Sequence, residues 1–309
     1  MESQCLGLAE ALGLKPVIKR VALRSPWREL TPRLRLFQSH AFAAESDPLS
    51  ALWPDILIAT GRQSIAASLI VRAESRKAGT PTITIQLQNP GIAPRLFDLI
   101  VTPRHDRLSG ENVVATKGAL HRISRTTLAR GAENLGRHLP KLPRPYVSVL
   151  IGGSNDVYTL TPNWMEGFAA ELVEAAAAQK GSLLITPSRR TDAASLEVLK
   201  AAVAGSPHYL WDGAGENPYF GLLGLADFIV VTSDSVNMVS EACATGKPVY
   251  VAKLKGGSAK FRRFHLAMRE DGLTREFDGE LVPYYYPALD DMSPVVARVQ
   301  ALLDARRRD

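Results

Sequence analysis

Residues 226–251 run ADFIVVTSDSVNMVSEACATGKPVYV. The β-branched run predicts a strand and TSDS a short polar loop. The next segment predicts a helix, Gly246-Lys247-Pro248 a stop and turn, and PVYV a second strand. Hydroxyls, free helix-start amides and one carboxylate, that of Glu241, then fall at the carboxyl end of a parallel sheet. Open α/β sheets take ligands at that edge. A phosphate suits the loop and the helix N-terminus. A carboxylate one or two turns further on suits a ribose diol. Together they look like half of a nucleotide-sugar pocket.

On either side of this stretch the same order of strand, loop and helix recurs. Residues 146–151, 182–186 and 209–211 predict strands, and 163–179, 193–204 and 217–223 predict helices. A further helix is expected near 259–268. The first half predicts strands at 17–23, 56–60, 82–86, 98–102 and 112–115. Its helices span 64–77 and run from a Ser124 cap to about residue 137. Such alternation predicts α/β layering. The three prolines of HLPKLPRPY, residues 138–146, mark an interdomain linker. The expected organisation is therefore two Rossmann-like domains. The first is expected over residues 1–141 and the second, which carries the half-pocket, over 142–292. A tail helix in 293–309 packs back toward the first domain through Val295, Val296, Val299, Leu302 and Leu303.

A length of 309 residues with 46% hydrophobic content suits two globular domains. No apolar run approaches the roughly 18–20 residues needed to span a bilayer. The opening MESQCLGLAEALG lacks the basic start of a secretory signal. Cys5 and Cys243 have the spacing of no zinc site and point to a reducing, cytoplasmic setting. Neither a metal nor a tightly bound cofactor is expected. The net charge is +6, with Arg20, Arg24, Arg28, Arg33 and Arg35 close together. These are either solvated surface or an attraction for an anionic counterpart. That counterpart is an anionic membrane surface, which the protein would meet peripherally, or a phosphate-bearing acceptor. The basic segments lack interleaved aromatics, and no zinc-finger or RNP-type motif occurs, so nucleic acid is not expected.

Three loops of the second half lie at carboxyl ends of predicted strands. Gly152, Gly153, Ser154 and Asn155 offer close backbone approach and amides that cradle a diphosphate, or else a plain tight turn. Ser188, Arg189, Arg190 and Thr191 offer two planar guanidinium forks for phosphate, or an exposed turn with Thr191 as cap. Ser233, Asp234 and Ser235 are helix caps or phosphate ligands. Glu241, in a largely apolar helix, needs a partner: a ribose diol, Lys247 or a backbone group. In the first half, His105 is a candidate general base oriented by Asp106, or one of a loop hydrogen-bonded pair. Arg62 and Gln63 follow another strand, and Gln86, Gln88 and Asn89 form a polar cluster suited to a sugar-binding rim. A nucleophile elbow fails because Asp156 replaces its last glycine. A Walker A motif fails because Pro248 follows Gly246-Lys247.

PDILIATGRQS, FDLIVTPRHD, VLIGGSND, TPSRRT and residues 217–251 resemble the mitochondrial fission factors of the elongated-mitochondria type, a plant family with many bacterial relatives. The resemblance covers nearly the whole chain. More distantly, the second half is similar to GT-B glycosyltransferases, notably the peptidoglycan N-acetylglucosaminyltransferase. That likeness implies two Rossmann-like domains facing across a cleft, residues 1–141 on the acceptor or partner side and 142–292 on the nucleotide-sugar side, with a nucleoside-diphosphate sugar as donor substrate. It implies Gly153 and Ser154 at the diphosphate, Ser233 and Ser235 around the sugar phosphate, and Glu241 on the ribose. The plant members imply a non-catalytic recruitment role instead. Relatives open with a strand and a glycine-containing loop before the helix represented here by residues 3–12, so the first domain is expected to be short of a strand. Two functions follow. One is a sugar-nucleotide-dependent transferase, in which a base removes the acceptor proton while Arg189 or Arg190 stabilises the leaving diphosphate. The other is a GT-B-like protein that binds a nucleotide or partner without turnover. A hydrolase built on Ser154 is a distant third.

Overall fold

The computed structural model of the protein describes residues 2–34, 36 and 40–308, and Arg35 of the basic cluster lies outside them. The chain divides into two units: Met1–Arg122 with Asp291–Asp309, and Ile123–Asp290.

Unit 1 contains α1 (Glu2–Ala11), α2 (Trp27–Leu30), β1 (Ile56–Thr60), α3 (Ser64–Lys77), β2 (Ile83–Leu87), β3 (Leu99–Pro103) and β4 (Val113–Thr116). Among the described residues its strands form a parallel sheet in the order β1-β2-β3-β4. Side chains alternate across a strand, so β2 serves both faces. Ile83, Ile85 and Leu87 pack with Leu8 of α1 and with Val295 and Val299 of the C-terminal helix, Met292–Arg306. On the other face, Ser68 of α3 donates to Gln86 Oε1 at 3.3 Å. The start of the C-terminal helix is fixed by Asp291, whose carboxylate accepts from the amides of Lys117 and Gly118 at 2.8 and 2.7 Å.

The strand expected at 17–23 does not form. Only Leu23 pairs, in an isolated antiparallel bridge to Phe42. Val17 and Ile18 are exposed, with no surface to pack against, and β-propensity acts largely through such packing.

Unit 2 begins with α4 (Arg125–Gly136). It continues through β5 (Tyr146–Ile151), β6 (Tyr158–Thr159), α5 (Pro162–Ala178), β7 (Ser182–Pro187), α6 (Ala193–Val203) and β8 (His208–Leu210). Then come α7 (Tyr219–Leu225), β9 (Phe228–Thr232), α8 (Val236–Cys243), β10 (Val249–Ala252), β11 (Lys255–Gly256), α9 (Ala259–Glu270) and β12 (Arg275–Glu276). The main sheet runs β12-β10-β9-β5-β7-β8, all parallel. Val147, Val149 and Ile151 of β5 face one core with residues of α5 and α6, and Leu150 faces the other with residues of α7, α8 and α9. Each such fully buried aliphatic side chain contributes about 1.5–3 kcal/mol.

The division falls after Arg122, not in the proline-rich stretch 138–146. The reason is α4, which the sequence placed with the first half. It crosses α7 so closely that a Cβ on Gly131 would lie 2.7 Å from Gly221 N, and one on Gly224 2.5 Å from Leu128 O. Glycines let the two backbones meet. The stretch itself is part of unit 2: Leu139 and Leu142 pack with Leu135, Leu184 and Leu222, and Arg144 pairs with Asp227 at 2.7 Å.

Candidate functional site

Strands β9, β5 and β7 are neighbours, so the three loops picked out in the sequence lie side by side at one carboxyl edge of unit 2. A single carboxylate joins them. Asp234 Oδ1 accepts from Thr232 Oγ1 at 2.6 Å, and Oδ2 accepts from the Gly153 amide at 3.1 Å. Arg190 Nη2 lies 2.6 Å from Oδ2, and Arg190 Nη1 donates to Gly153 O at 3.2 Å. The Asp234 side chain is fully enclosed, and that of Arg190 is 39% exposed. Ser188 Oγ and Thr191 Oγ1 both donate to Gly152 O, at 2.9 and 2.5 Å. The Gly152 amide donates to Thr232 Oγ1 at 2.8 Å.

The two glycines therefore have a packing role. A Cβ on Gly152 would meet Asp234 Oδ2 at 2.1 Å, and one on Gly153 would meet Arg190 O at 2.1 Å. Both amides are committed within unit 2, so the close approach expected for a diphosphate is made by the chain itself. Ser154 and Asn155 also have local partners. Ser154 Oγ donates to Leu160 O at 3.2 Å, and Asn155 Oδ1 accepts from the amides of Val157 and Tyr158. Arg189 is exposed beside Arg190.

Around α8 the geometry is more open. Ser235 caps the helix, its hydroxyl accepting from the Met238 amide at 3.3 Å. The amides of Ser235 and Val236 have no partner among the described residues, as the first turn of a helix dictates. Ser233 Oγ accepts from the Leu254 amide at 3.0 Å, and its carbonyl accepts from His265 Nε2 at 2.8 Å. Burial lowers the His265 pKa, against the opposing effect of this hydrogen bond to the Ser233 carbonyl.

One turn further on, Tyr219 OH donates to Glu241 Oε2 at 2.6 Å. Tyr219 opens α7, which starts on the same side of the sheet where β8 ends. Glu241 has no cationic partner among the described residues, and its Oε1 has no hydrogen bond there. Burial pushes its carboxyl up to about 7, against the opposing effect of the Tyr219 hydrogen bond. Lys247, the alternative partner, is engaged elsewhere: Nζ donates to Leu223 O and Gly224 O at 2.8 and 2.6 Å, closing α7. Tyr219 is the functional candidate that sequence reasoning missed. Its only signal was an aromatic at a helix start upstream of the signature stretch.

The first-half candidates separate. His105 and Asp106 sit in a short 3-10 turn after β3, with side chains only 2% and 6% exposed and 3.7 Å apart. Thr102 Oγ1 donates to Asp106 Oδ2 at 3.0 Å. The pair lies inside unit 1. Gln63 Oε1 accepts from the Leu23 amide at 2.8 Å, and Arg62 Nη2 donates to Arg28 O at 3.1 Å. Arg62 and Gln86, with Ile65, Gln88 and Asn89, line a depression of about 250 Å³. No cluster of metal-ligating side chains occurs among the described residues, and no helix there is long and apolar enough to cross a membrane.

Comparison with solved structures places this architecture. The UDP-GlcNAc 2-epimerase of Methanocaldococcus jannaschii superposes with a TM-score of 0.54 at 10% identity, covering 81% of this chain and 77% of that one. The fold is α/β, with parallel sheets, of the GT-B type. Among curated proteins, the mitochondrial fission protein ELM1 of Arabidopsis thaliana is 32% identical over 280 residues. The match covers 82% of this chain but 65% of that protein, so the chain spans about two thirds of its length. An uncharacterised protein of Rickettsia prowazekii (strain Madrid E) is 23% identical over 300 residues, covering 83% of this chain and 82% of that protein. The profile described as Mitochondrial fission ELM1 matches residues 1–303. The chain therefore belongs to the mitochondrial fission ELM1 family.

Proposed function

We propose that unit 2 binds a nucleoside-diphosphate sugar at the carboxyl edge of β9, with Glu241 on the ribose diol. The observation that carries this reading is the Tyr219–Glu241 pair. A carboxylate is held in place by a neutral hydroxyl, lacks a cation and keeps one oxygen uncommitted. Two hydroxyl donors of a diol supply what it lacks. The phosphates belong at the first turn of α8, where the Ser235 and Val236 amides have no partner, with Arg189 within the same loop cluster. The amides of Gly152 and Gly153, already spent, hold the loops in register for this.

On this reading the reaction is glycosyl transfer. An acceptor oxygen forms a bond to the anomeric carbon, the bond to the nucleoside diphosphate breaks, and the acceptor proton passes to a base. We assign the acceptor or partner side to unit 1, around Arg62, Gln63 and Gln86. A phosphate-bearing acceptor or an anionic membrane surface is its counterpart, in keeping with the net charge of +6.

Binding without turnover is the second reading, and two observations favour it. Asp234 neutralises Arg190, and the His105–Asp106 pair is enclosed. A recruitment protein keeps a ligand-binding fold in this way without a reacting base.

Calorimetry with UDP, UDP-GlcNAc and pyrophosphate tests the site. Glu241→Gln is expected to weaken both nucleotides about ten- to a hundredfold and to leave pyrophosphate unchanged. Equal effects on all three ligands would remove the ribose assignment. Release of UDP from UDP-GlcNAc separates turnover from binding alone.

A further inference from the structure

Residues 13–20, GLKPVIKR, are exposed at every position, in a unit whose sheet is otherwise well covered. The segment leaves α1 and is pinned at both ends. The Leu14 amide donates to Ala9 O at 2.9 Å. The Arg20 amide donates to Asp47 Oδ2 at 2.6 Å, and its guanidinium to Glu2 at 3.1 Å. Between the pins, residues 15–19 make no hydrogen bond among the described residues. Val17 is 83% exposed, Ile18 45% and Leu14 40%. Lys15 and Lys19 flank them without an ion pair among the described residues, and the segment has no acidic residue.

Three aliphatic side chains in water are individually unremarkable, because folded surfaces carry many apolar atoms. The combination here is more specific. The apolar groups are consecutive or nearly so, they alternate with lysines, and the segment's own backbone is unpaired yet held at a fixed place. We propose that this bow, residues 14–19, docks unit 1 on a bilayer with anionic headgroups. Val17 and Ile18 enter the headgroup–acyl boundary, and Lys15 and Lys19 lie along lipid phosphates, their long stems letting the ammonium groups reach the interface.

The side-chain types discriminate among partners. Lysine is depleted in protein–protein interfaces, whereas juxtamembrane lysines each gain from the negative surface potential. A single-stranded nucleic acid would want stacking aromatics, and residues 13–20 contain none. The proposal rests on the reading that unit 1 meets an anionic counterpart, and it says which surface and which counterpart. It does not depend on nucleotide binding by unit 2.

The test is co-sedimentation of the full chain with vesicles of phosphatidylglycerol and phosphatidylcholine, compared with phosphatidylcholine alone. Binding is expected only with phosphatidylglycerol, weakening as salt rises. The double change Lys15→Glu, Lys19→Glu is expected to lower partitioning roughly thirtyfold or more, and Val17→Ser, Ile18→Ser severalfold. All four positions are exposed, so the variants should fold, and unchanged UDP binding and thermal melting confirm that they have. Absence of binding to anionic vesicles at low salt overturns the proposal, as does indifference to the lysine changes. Sensitivity to the lysine changes but not to the serine changes also overturns it, because the segment would then adsorb by charge alone without entering the interface. Failure with lipid while UDP still binds leaves the donor-site reading standing.

Discussion

Glu241 should write itself into the pH dependence of both stability and binding. Its carboxyl is raised by burial from 4.5 to about 7 in the folded chain. Between those two values the folded state holds a proton that the unfolded state has released. Stability therefore falls as pH rises through this window, and the loss is complete above 7. A shift of this size corresponds to at most about 3 kcal/mol. Glu241→Gln keeps an acceptor for Tyr219 OH but cannot ionise, so it should lack this slope. Urea unfolding at pH 4.5 and pH 8 measures it: on going up in pH the wild type should lose up to about 3 kcal/mol more than the variant. Contributions common to both proteins cancel in the difference. Binding has the opposite sign. Diol hydroxyls donate to the ionised carboxylate, so UDP affinity of the wild type should rise as pH increases through 7, with proton release on binding below it. The variant should bind UDP weakly without that rise. Parallel stability profiles for the two proteins would show that Glu241 does not titrate as its burial requires. A common pH profile for UDP affinity would refute the diol contact.

Gly153→Ala should be among the least tolerated small changes, because its Cβ would sit 2.1 Å from Arg190 O; a loss of about 3 kcal/mol or more is expected in thermal or urea unfolding. Asp234→Asn should release Arg190 from its internal anion. Pyrophosphate affinity should then rise about tenfold by calorimetry while stability drops by about 3 kcal/mol, and an unchanged affinity would mean that Asp234 does not hold Arg190 away from ligands. Lys247→Met removes the two donors that close α7 and should cost about 1–3 kcal/mol at pH 7 with UDP affinity unaltered. Burial lowers Lys247 to about 8, so the unfolded state binds more protons above that pH. The stability gap between wild type and variant should therefore widen from pH 8 to 10.

Most of the fold was legible because its signals are local. Ser64–Lys77 begins and ends where the sequence put it, and Ser124 caps α4 with its hydroxyl accepting from Thr127. The strand before GGSN and the βαβ signature read equally well, since runs such as YVSVLI and FIVVT are buried on both faces. The failures are of a different kind. Whether 17–23 becomes a strand depends on a neighbour to pair with, which is not written in those residues. Whether α4 ends one unit or begins the next depends on three glycines distributed over two helices 90 residues apart in the chain, Gly131, Gly221 and Gly224. A proline-rich stretch looks like a linker in either case, because proline reports local stiffness and not which core its neighbours join.

The candidate site divides along the same line, and the division bears on function. Sequence spacing gathers GGSN, SRRT and TSDS at one edge, and a parallel sheet makes that nearly unavoidable once the strands are right. What spacing does not reveal is how the donors in those loops are spent. A glycine-rich loop with a nearby arginine is the pattern of an anion cradle, but the same pattern arises when the anion is a residue of the chain. Here it is Asp234, enclosed, bonded to the Gly153 amide, Thr232 and Arg190. An incoming diphosphate either displaces that carboxylate or binds beside it, where the α8 amides are open. Displacement is costly, because it breaks a buried charge pair and strands a carboxylate in the loop core. Binding beside it would cost nothing internal and, on the proposed reading, would place the ribose on the helix that carries Glu241. The geometry thus ties the two halves of the reading together: the further the phosphates sit from the glycine loop, the more of the ligand's recognition falls to α8, Tyr219 and Glu241.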